Sequence, residues 1–337
     1  MIKYLGSKRT LLPSILHQVE QIEGIQSVLD LFSGTARVGH ALKGAGYQVY
    51  SNDLNAYAAT LARCYVEADR EIYQQAASER IAELNKLPGL SGWFTETYCV
   101  ESRFFQAQNG ARIEAIRNQI QAWSLEPLLE SILLTSLMEA ADRVDSTTGV
   151  QMAYLKKWAP RAHKNLELRL PDLLPKAENG PGRVYQGDAL ETAAKVSVDL
   201  AYLDPPYNQH KYLGNYHLWE TLVRWDEPEV YGVARKRVDV RERKSPHNSR
   251  PKALKAFQSL IDTVQAPWLL ISFSDEGYIQ KVEMEALLSE RGHLRTFEHD
   301  FKRYVGAQIG IHNPSGEKVG RVSHTRNREY LYLLRRP

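Results

Sequence analysis

The chain has 337 residues, enough for one large core or a core domain carrying a smaller inserted one. Its 43% hydrophobic and 25% charged residues fit a globular protein, and no apolar run approaches the roughly 18 residues of a membrane span, which excludes an integral membrane helix. A net charge of +3 favours no substrate class, whereas its distribution does, because cations gather in residues 156–169 and 235–255. Two cysteines, Cys64 and Cys99, exclude a disulfide framework and a four-ligand zinc site, and ten histidines without paired spacing offer no metal centre. The N-terminus lacks the apolar run and cleavage site of a signal peptide, so the expected location is the cytoplasm.

Short apolar runs bounded by turn residues predict seven strands, at 27–32, 47–51, 183–186, 198–203, 268–273, 296–302 and 329–334. The first, fourth and fifth are nearly all apolar, as central strands covered on both faces require. Helical periodicity lies between them, at 38–43 and 56–68 for example. The alternation predicts an α/β fold with a mainly parallel sheet. From about 61 to 180 the chain reads as helices, with apolar periodicity at 112–123 and 128–141. That is too long for a crossover. Residues 1–60 and 181–337 are therefore expected to form one domain, and 61–180 a mainly helical insertion.

The first strand runs into Asp30-Leu31-Phe32-Ser33-Gly34-Thr35-Ala36 and then a helix. Gly34 lets the backbone turn and approach a ligand, and Asp30 falls at the carboxyl end of its strand, where open α/β sheets bind ligands. Ala36 stands where a dinucleotide fingerprint has its second glycine, so a smaller ligand is expected. The second strand ends in Asn52-Asp53, about 20 residues past the glycine loop. There Asp53 suits a hydrogen bond to ribose hydroxyls, or else Asp53 or Asn52 caps the next helix. The third strand leads to Asp188, placed either to accept from an adenine amine or to serve as an N-cap.

The fourth strand delivers Asp204-Pro205-Pro206-Tyr207. Two prolines fix φ and remove two N–H donors, leaving carbonyls that face the cleft. A carboxylate and a carbonyl can each accept one N–H of an exocyclic amine, which draws its lone pair out of conjugation. Tyr207 offers a flat face for a base, where stacking contributes about 1–3 kcal/mol. The aromatics that follow, Tyr212 and Tyr216 with His217, either close over that base or belong to the core.

The tetrad and the Asp-Leu-Phe-Ser-Gly loop resemble those of the amino-methyltransferases, which modify adenine or cytosine amines. The opening Lys3-Tyr4-Leu5-Gly6-Ser7-Lys8, the early glycine loop, the long helical insertion and the late tetrad resemble, in that order, the Dam-like (alpha-group) adenine-specific DNA methyltransferases. The resemblance covers almost the whole chain. It implies a Rossmann-like seven-stranded sheet whose last strand is antiparallel, and S-adenosyl-L-methionine as cofactor. Tyr4, Lys8, Asp30, Phe32, Ser33 and Gly34 would lie along the methionine part, Asp53 on the ribose, Asp188 on the adenine ring and Asp204 at the reacting end. The function it implies is methylation of an adenine amine in duplex DNA after base flipping. Cytosine in DNA and adenine in RNA are the alternatives within enzymes, and a catalytically silent nucleic-acid-binding module is the alternative outside them. Arg235, Arg237, Arg241, Arg321 and Arg326 are expected phosphate contacts, and Lys156, Lys157 and Arg161 of the insertion are expected to read the target; the bland alternative is a solvated face. The expected state is a monomer without metal, with a restriction endonuclease as the companion the family suggests.

Overall fold

The structure, a computed structural model, describes residues 1–302, 311–312, 318–320 and 326–337. Its sheet has seven strands: β1 (Ser27–Asp30), β2 (Gln48–Asp53), β3 (Arg183–Gln186), β4 (Leu200–Leu203), β5 (Trp268–Ser274), β6 (His293–Lys302) and β7 (Arg326–Arg335). Their order is β3-β2-β1-β4-β5-β7-β6. The first five are mutually parallel. The last, β7, is antiparallel and slots between β5 and β6. All seven expected strands are present, with ends displaced by a few residues.

Side chains along the strands alternate between two cores, as a period of two demands. Val28, Leu200 and Tyr202 face one core, whereas Leu29, Ala201 and Leu203 face the other. The second core is closed by α8 (Arg250–Thr263) through Phe257, Leu260 and Ile261. The first is closed by α1 (Leu12–Glu20), α2 (Arg37–Gly44) and α3 (Ala56–Ala62) through residues such as Ile15, Leu42 and Leu61.

That first core continues without a break into the insertion. Helices α4 (Arg70–Lys86), α5 (Ala107–Ala122) and α6 (Pro127–Val144) contribute Leu84, Ile116 and Leu133 to the same cluster as the sheet residues. The helical half of the insertion thus has no core of its own. After Val144 the chain is irregular as far as β3, apart from the single 3₁₀ turn Pro160–His163. Prolines at 160, 171, 175 and 181 account for this, since each removes a backbone donor and disfavours helix before it. "Mainly helical" therefore describes residues 61–144 and not the remainder.

The strand order reverses beside β1 and β4. There the outgoing loops diverge and open a crevice at the carboxyl edge. Asp30 and Asp204 meet at this point.

Candidate active site

The crevice is a cavity of about 600 Å³ lined from the N-terminal segment, the glycine loop, the ends of β2, β3 and β4, and residues 243–260. Its size is ordinary for a small-molecule site. Asp30, Asp53, Asp188 and Asp204 all line it, as do Tyr4, Lys8, Phe32, Ser33 and Gly34. Every residue expected along a cofactor is therefore brought to one cavity.

The glycine loop explains why small residues stand there. Gly34 has φ +52°, and a Cβ on it would meet the Tyr4 ring at 3.2 Å. Ala36, at the position expected to weaken the motif, adopts φ 57°. This left-handed conformation costs a non-glycine residue roughly 1 kcal/mol. Its N–H donates to the Ser33 carbonyl at 2.7 Å and its methyl is fully buried, which holds the turn into α2.

Each carboxylate has a local task. Asp30 is buried and accepts the Gly39 N–H at 3.0 Å. Burial, with Asp204 and Asp53 nearby, pushes its carboxyl up to about 7. Asp53 accepts the Gly34 N–H at 3.0 Å through Oδ2, and the backbone and side-chain N–H groups of Asn55 through Oδ1. It ties the glycine loop to the end of β2 rather than capping α3, and burial pushes it up to about 6. Asn52 does not cap α3 either. It donates to the carbonyls of Leu31 and Gly187 and accepts from Thr192, joining three loops. Asp188 does cap its helix, α7 (Ala189–Lys195), accepting from Leu190 at 2.8 Å and Glu191 at 3.4 Å. The capping reading holds there, and Asp188 lines the cavity as well.

At the tetrad, β4 hands Asp204 to the cavity, with Pro206 beside it. Pro205 and Tyr207 lie outside the lining. The Tyr207 ring packs 5.4 Å from that of Phe273, and its carbonyl accepts the Tyr278 N–H at 2.8 Å. Lys8 is buried, with its Nζ 3.1 Å from Asp204 Oδ1 and 3.4 Å from Glu329 Oε2. Burial pushes the Asp204 carboxyl up to about 6, Lys8 lowers it and Glu329 raises it. The resemblance assigns Lys8 to the cofactor's methionine part. In the structure its ammonium is held between two carboxylates at the cavity wall, because a buried lysine needs counter-charges. Glu329 carries no sequence signal, being one acid in an alternating strand.

Tyr4 stacks on Tyr216 at 4.6 Å and on Tyr212 at 5.3 Å, and its hydroxyl lies 3.3 Å from that of Tyr57. Tyr216 and His217 prove to be core residues. His217 is fully buried against the Gln151 carbonyl, and burial lowers its imidazole to about 3. Tyr212 lines the cavity.

The basic loop was expected on phosphates, yet Arg243, Lys244, Lys252 and Lys255 wall the cavity. Arg243 bonds Glu220 Oε1 at 2.7 Å and the Leu54 carbonyl at 3.0 Å, clasping the loop to the end of β2. His247 meets Phe32 edge-on at 5.9 Å. Burial lowers its imidazole to about 4, so it is a neutral ring at pH 7. Sequence spacing could not show this, since the loop is some 200 residues from the glycine loop it covers.

The expected DNA contacts divide. Arg237 is 2% exposed and forms a bidentate pair with Asp226 at 2.6 and 2.7 Å, with Asp239 at 3.1 Å. It is a structural staple and not a surface cation. Arg161 bonds buried Asp145 at 2.7 Å and the Thr147 carbonyl at 2.6 Å, and Asp145 also takes Lys3 at 2.8 Å. Arg161 is thus spoken for by the joint between insertion and N-terminus. Arg235 pairs with Glu101 at 3.2 Å. Arg241 lies 3.8 Å over the Tyr231 ring and is exposed, as are Lys156 and Lys157. Arg321 lies outside the described residues; Arg326 begins β7, and its side chain is likewise outside them.

The contents of the cavity suit S-adenosyl-L-methionine. Its lining sets four carboxylates, which match the charge of a sulfonium and an ammonium, beside two buried polar atoms. Ser33 Oγ and Arg37 Nε have no partner among the described residues, and both residues line the cavity. Arg37 had no sequence signal beyond its place in the loop. Among the described residues, no helix is long and apolar enough to cross a membrane, and no acid, histidine or cysteine group is placed to hold a metal ion. Cys64 and Cys99 are both buried free thiols.

Comparison with known proteins follows this geometry. The chain is 29% identical over 348 aligned positions to the type II methyltransferase M.NlaIII of Neisseria lactamica, covering 99% of both chains. It is 31% identical to the modification methylase StsI of Streptococcus sanguinis and 32% identical to M.FokI of Planomicrobium okeanokoites, over 86% and 88% of its length. It spans only about half of those two relatives, 46% and 48%. Among solved structures, TehB of Haemophilus influenzae aligns over 96% of the chain and 62% of its own, with TM-score 0.38 and 8% identity. The profile described as D12 class N6 adenine-specific DNA methyltransferase matches residues 4–270. The chain belongs to the D12 class N6 adenine-specific DNA methyltransferase family, whose cofactor is S-adenosyl-L-methionine.

Proposed function

We propose that Asp204 and the Pro205 carbonyl hold the N6 amine of an adenine flipped out of duplex DNA, for direct methylation. The observation that carries this reading is the position of Asp204. It stands at the carboxyl end of β4, at the reversal of strand order, within the cavity that Asp30, Asp53 and Asp188 also line. Bound S-adenosyl-L-methionine supplies an electrophilic methyl on a sulfonium. Asp204 and the Pro205 carbonyl accept the two amine N–H bonds and turn the lone pair outward. Tyr207 and Pro206 give the base a flat seat. Positioning is the main demand on the protein, because the methyl is already activated. The amine gains the C–N bond as the S–C bond breaks, and its surplus proton leaves afterwards.

Along the cofactor, Tyr4, Asp30, Phe32, Ser33 and Gly34 serve the methionine part, Asp53 the ribose and Asp188 the adenine ring. Arg37 joins this set as the partner of the cofactor carboxylate, with Ser33 Oγ beside it. Support comes from the two unpartnered polar atoms and from Lys8 being held by Asp204 and Glu329.

Target recognition is assigned to the insertion, residues 61–180, and within it to the irregular half after Val144. Helices α4 to α6 are committed to the common core, whereas Lys156 and Lys157 are exposed. Arg235 and Arg241 add phosphate contacts from the hairpin that pairs Val230–Tyr231 with Lys236–Arg237. The order of motifs supports a Dam-like arrangement. The similarity to type II and modification methylases supports pairing with a restriction endonuclease in the cytoplasm.

Asp204→Ala should lower methyl transfer to duplex DNA by about 100-fold or more while the affinity for S-adenosylhomocysteine stays within a few-fold. Turnover counted with labelled cofactor, beside calorimetric binding, checks both halves. Unchanged turnover contradicts the assignment.

A further inference from the structure

Asp204 has a difficulty as an amine acceptor. Its Oδ1 is occupied by Lys8 Nζ at 3.1 Å, and Lys8 is only 6% exposed. A buried lysine facing a single carboxylate would neutralise it, and the incoming amine would meet a weakened acceptor. The structure holds a second carboxylate at the same ammonium. Glu329 Oε2 lies 3.4 Å from Lys8 Nζ, with its side chain 9% exposed. It projects from β7, the strand that runs antiparallel to its neighbours, opposite Ser274 of β5 and His299 of β6.

We propose that Glu329 is a positioning residue for methyl transfer: it offers Lys8 an alternative anchor, so that Asp204 can release the ammonium and accept the target amine. The inference rests on the reading of Asp204 given above. Two acids and one lysine leave the triad a net charge of −1, so one carboxylate always remains unneutralised. Without the amine, Lys8 lies nearer Asp204. With the amine at Asp204, Lys8 moves to Glu329 by a rotation of its own side chain, and no backbone shift is needed. No bond is made or broken in this exchange. β7 lies beyond β5 from β4, and Lys8 bridges Glu329 to Asp204, on which Glu329 also acts by its charge.

Charge makes the pair separable from a merely structural contact. Asp204 is surrounded by Lys8 from the N-terminal segment, Asp30 from β1, Tyr202 from β4, Glu329 from β7, and Tyr207 and Tyr212 after the tetrad. Glu329 raises the Asp204 carboxyl and Lys8 lowers it. Removing one or the other must move the acidic limb of activity in opposite directions. Asp30 and Asp53 titrate in the same range, and saturating cofactor takes their contribution to binding out of the profile.

The experiment measures kcat/KM for duplex DNA against pH at saturating S-adenosylmethionine, in the full chain. The variants are Glu329→Gln, Glu329→Asp, Lys8→Met and Asp204→Ala, each checked for S-adenosylhomocysteine affinity. Glu329→Gln should lose about tenfold in plateau kcat/KM, the worth of one charged hydrogen bond. Its acidic limb should move to lower pH, Lys8→Met should move it to higher pH, and Glu329→Asp should return it to the wild-type position. A Glu329→Gln limb that coincides with wild type, whatever its plateau, overturns the proposal. Should Glu329→Gln not fold, a Lys8→Met limb that fails to rise overturns it equally. Activity surviving in Asp204→Ala overturns the reading of Asp204 itself, which is a separate outcome.

Discussion

Asp30, Asp53 and Asp204 are all pushed above the usual carboxylate range, and burial is the first cause for each. A cavity that crowds carboxylates away from water is poised for a cationic ligand, since a sulfonium and an ammonium relieve the repulsion that burial concentrates. The carboxylate of the same ligand needs the opposite, and the proposed partner is Arg37, whose Nε has none among the described residues. Arg37→Met should therefore weaken S-adenosylhomocysteine by about tenfold, the scale of one charged hydrogen bond. Binding of 5′-methylthioadenosine, which lacks the amino-acid part, should not change. Isothermal titration of both ligands decides this, and an equal loss for the two would remove Arg37 from the site. Asp204, Asp30, Gly34 and Asp53 were legible because a strand end, a turn and a spacing announce them. Glu329, Arg37 and His247 were not. Glu329 and His247 reach the site across the fold, from an alternating strand and a distant loop, and Arg37 is a helix-start residue whose type alone announces nothing.

At the level of elements, the strands were legible because buried parallel strands are written as short apolar runs. Their ends were not, since hydrogen bonding extends β6 and β7 beyond the apolar residues. The insertion reads as helical where periodicity is strong. It departs from helix after Val144, where four prolines intervene. The basic loop illustrates what composition hides, because a run of cations says nothing of which are paired. Arg237 is the extreme case, held at the end of its hairpin by two flanking carboxylates. Its truncation to Met should destabilise the fold by about 2 kcal/mol, less than for a fully dry pair because Asp226 and Asp239 are partly exposed. The salt dependence of DNA binding should stay as it was. Lys157→Gln should do the reverse, leaving stability unchanged and reducing the slope of log affinity against log salt by about one. Thermal unfolding and fluorescence anisotropy at several salt concentrations test the pair. A shallower slope in Arg237→Met would return it to the DNA surface.

For the whole molecule, the acids of the cavity trade stability for function. A carboxyl raised from its ordinary value near 4 to about 7 stabilises the fold only while protonated. That contribution is full below about pH 4 and is lost as the pH rises through 7. Asp30→Asn should thus raise the melting temperature of the cofactor-free protein by several degrees at pH 8 and by less at pH 5, while weakening cofactor binding. Equal gains at both pH values would contradict the raised carboxyl. One continuous core binds the sheet and the helical half of the insertion, so the proposed recognition and chemistry share one frame. The most direct test of the central claim is to incubate the protein with labelled S-adenosylmethionine and duplex DNA, digest the product and identify the modified nucleoside. The account predicts label on N6 of deoxyadenosine within one sequence context, lost in Asp204→Ala. Label on deoxycytidine, or only on RNA or protein, would contradict it.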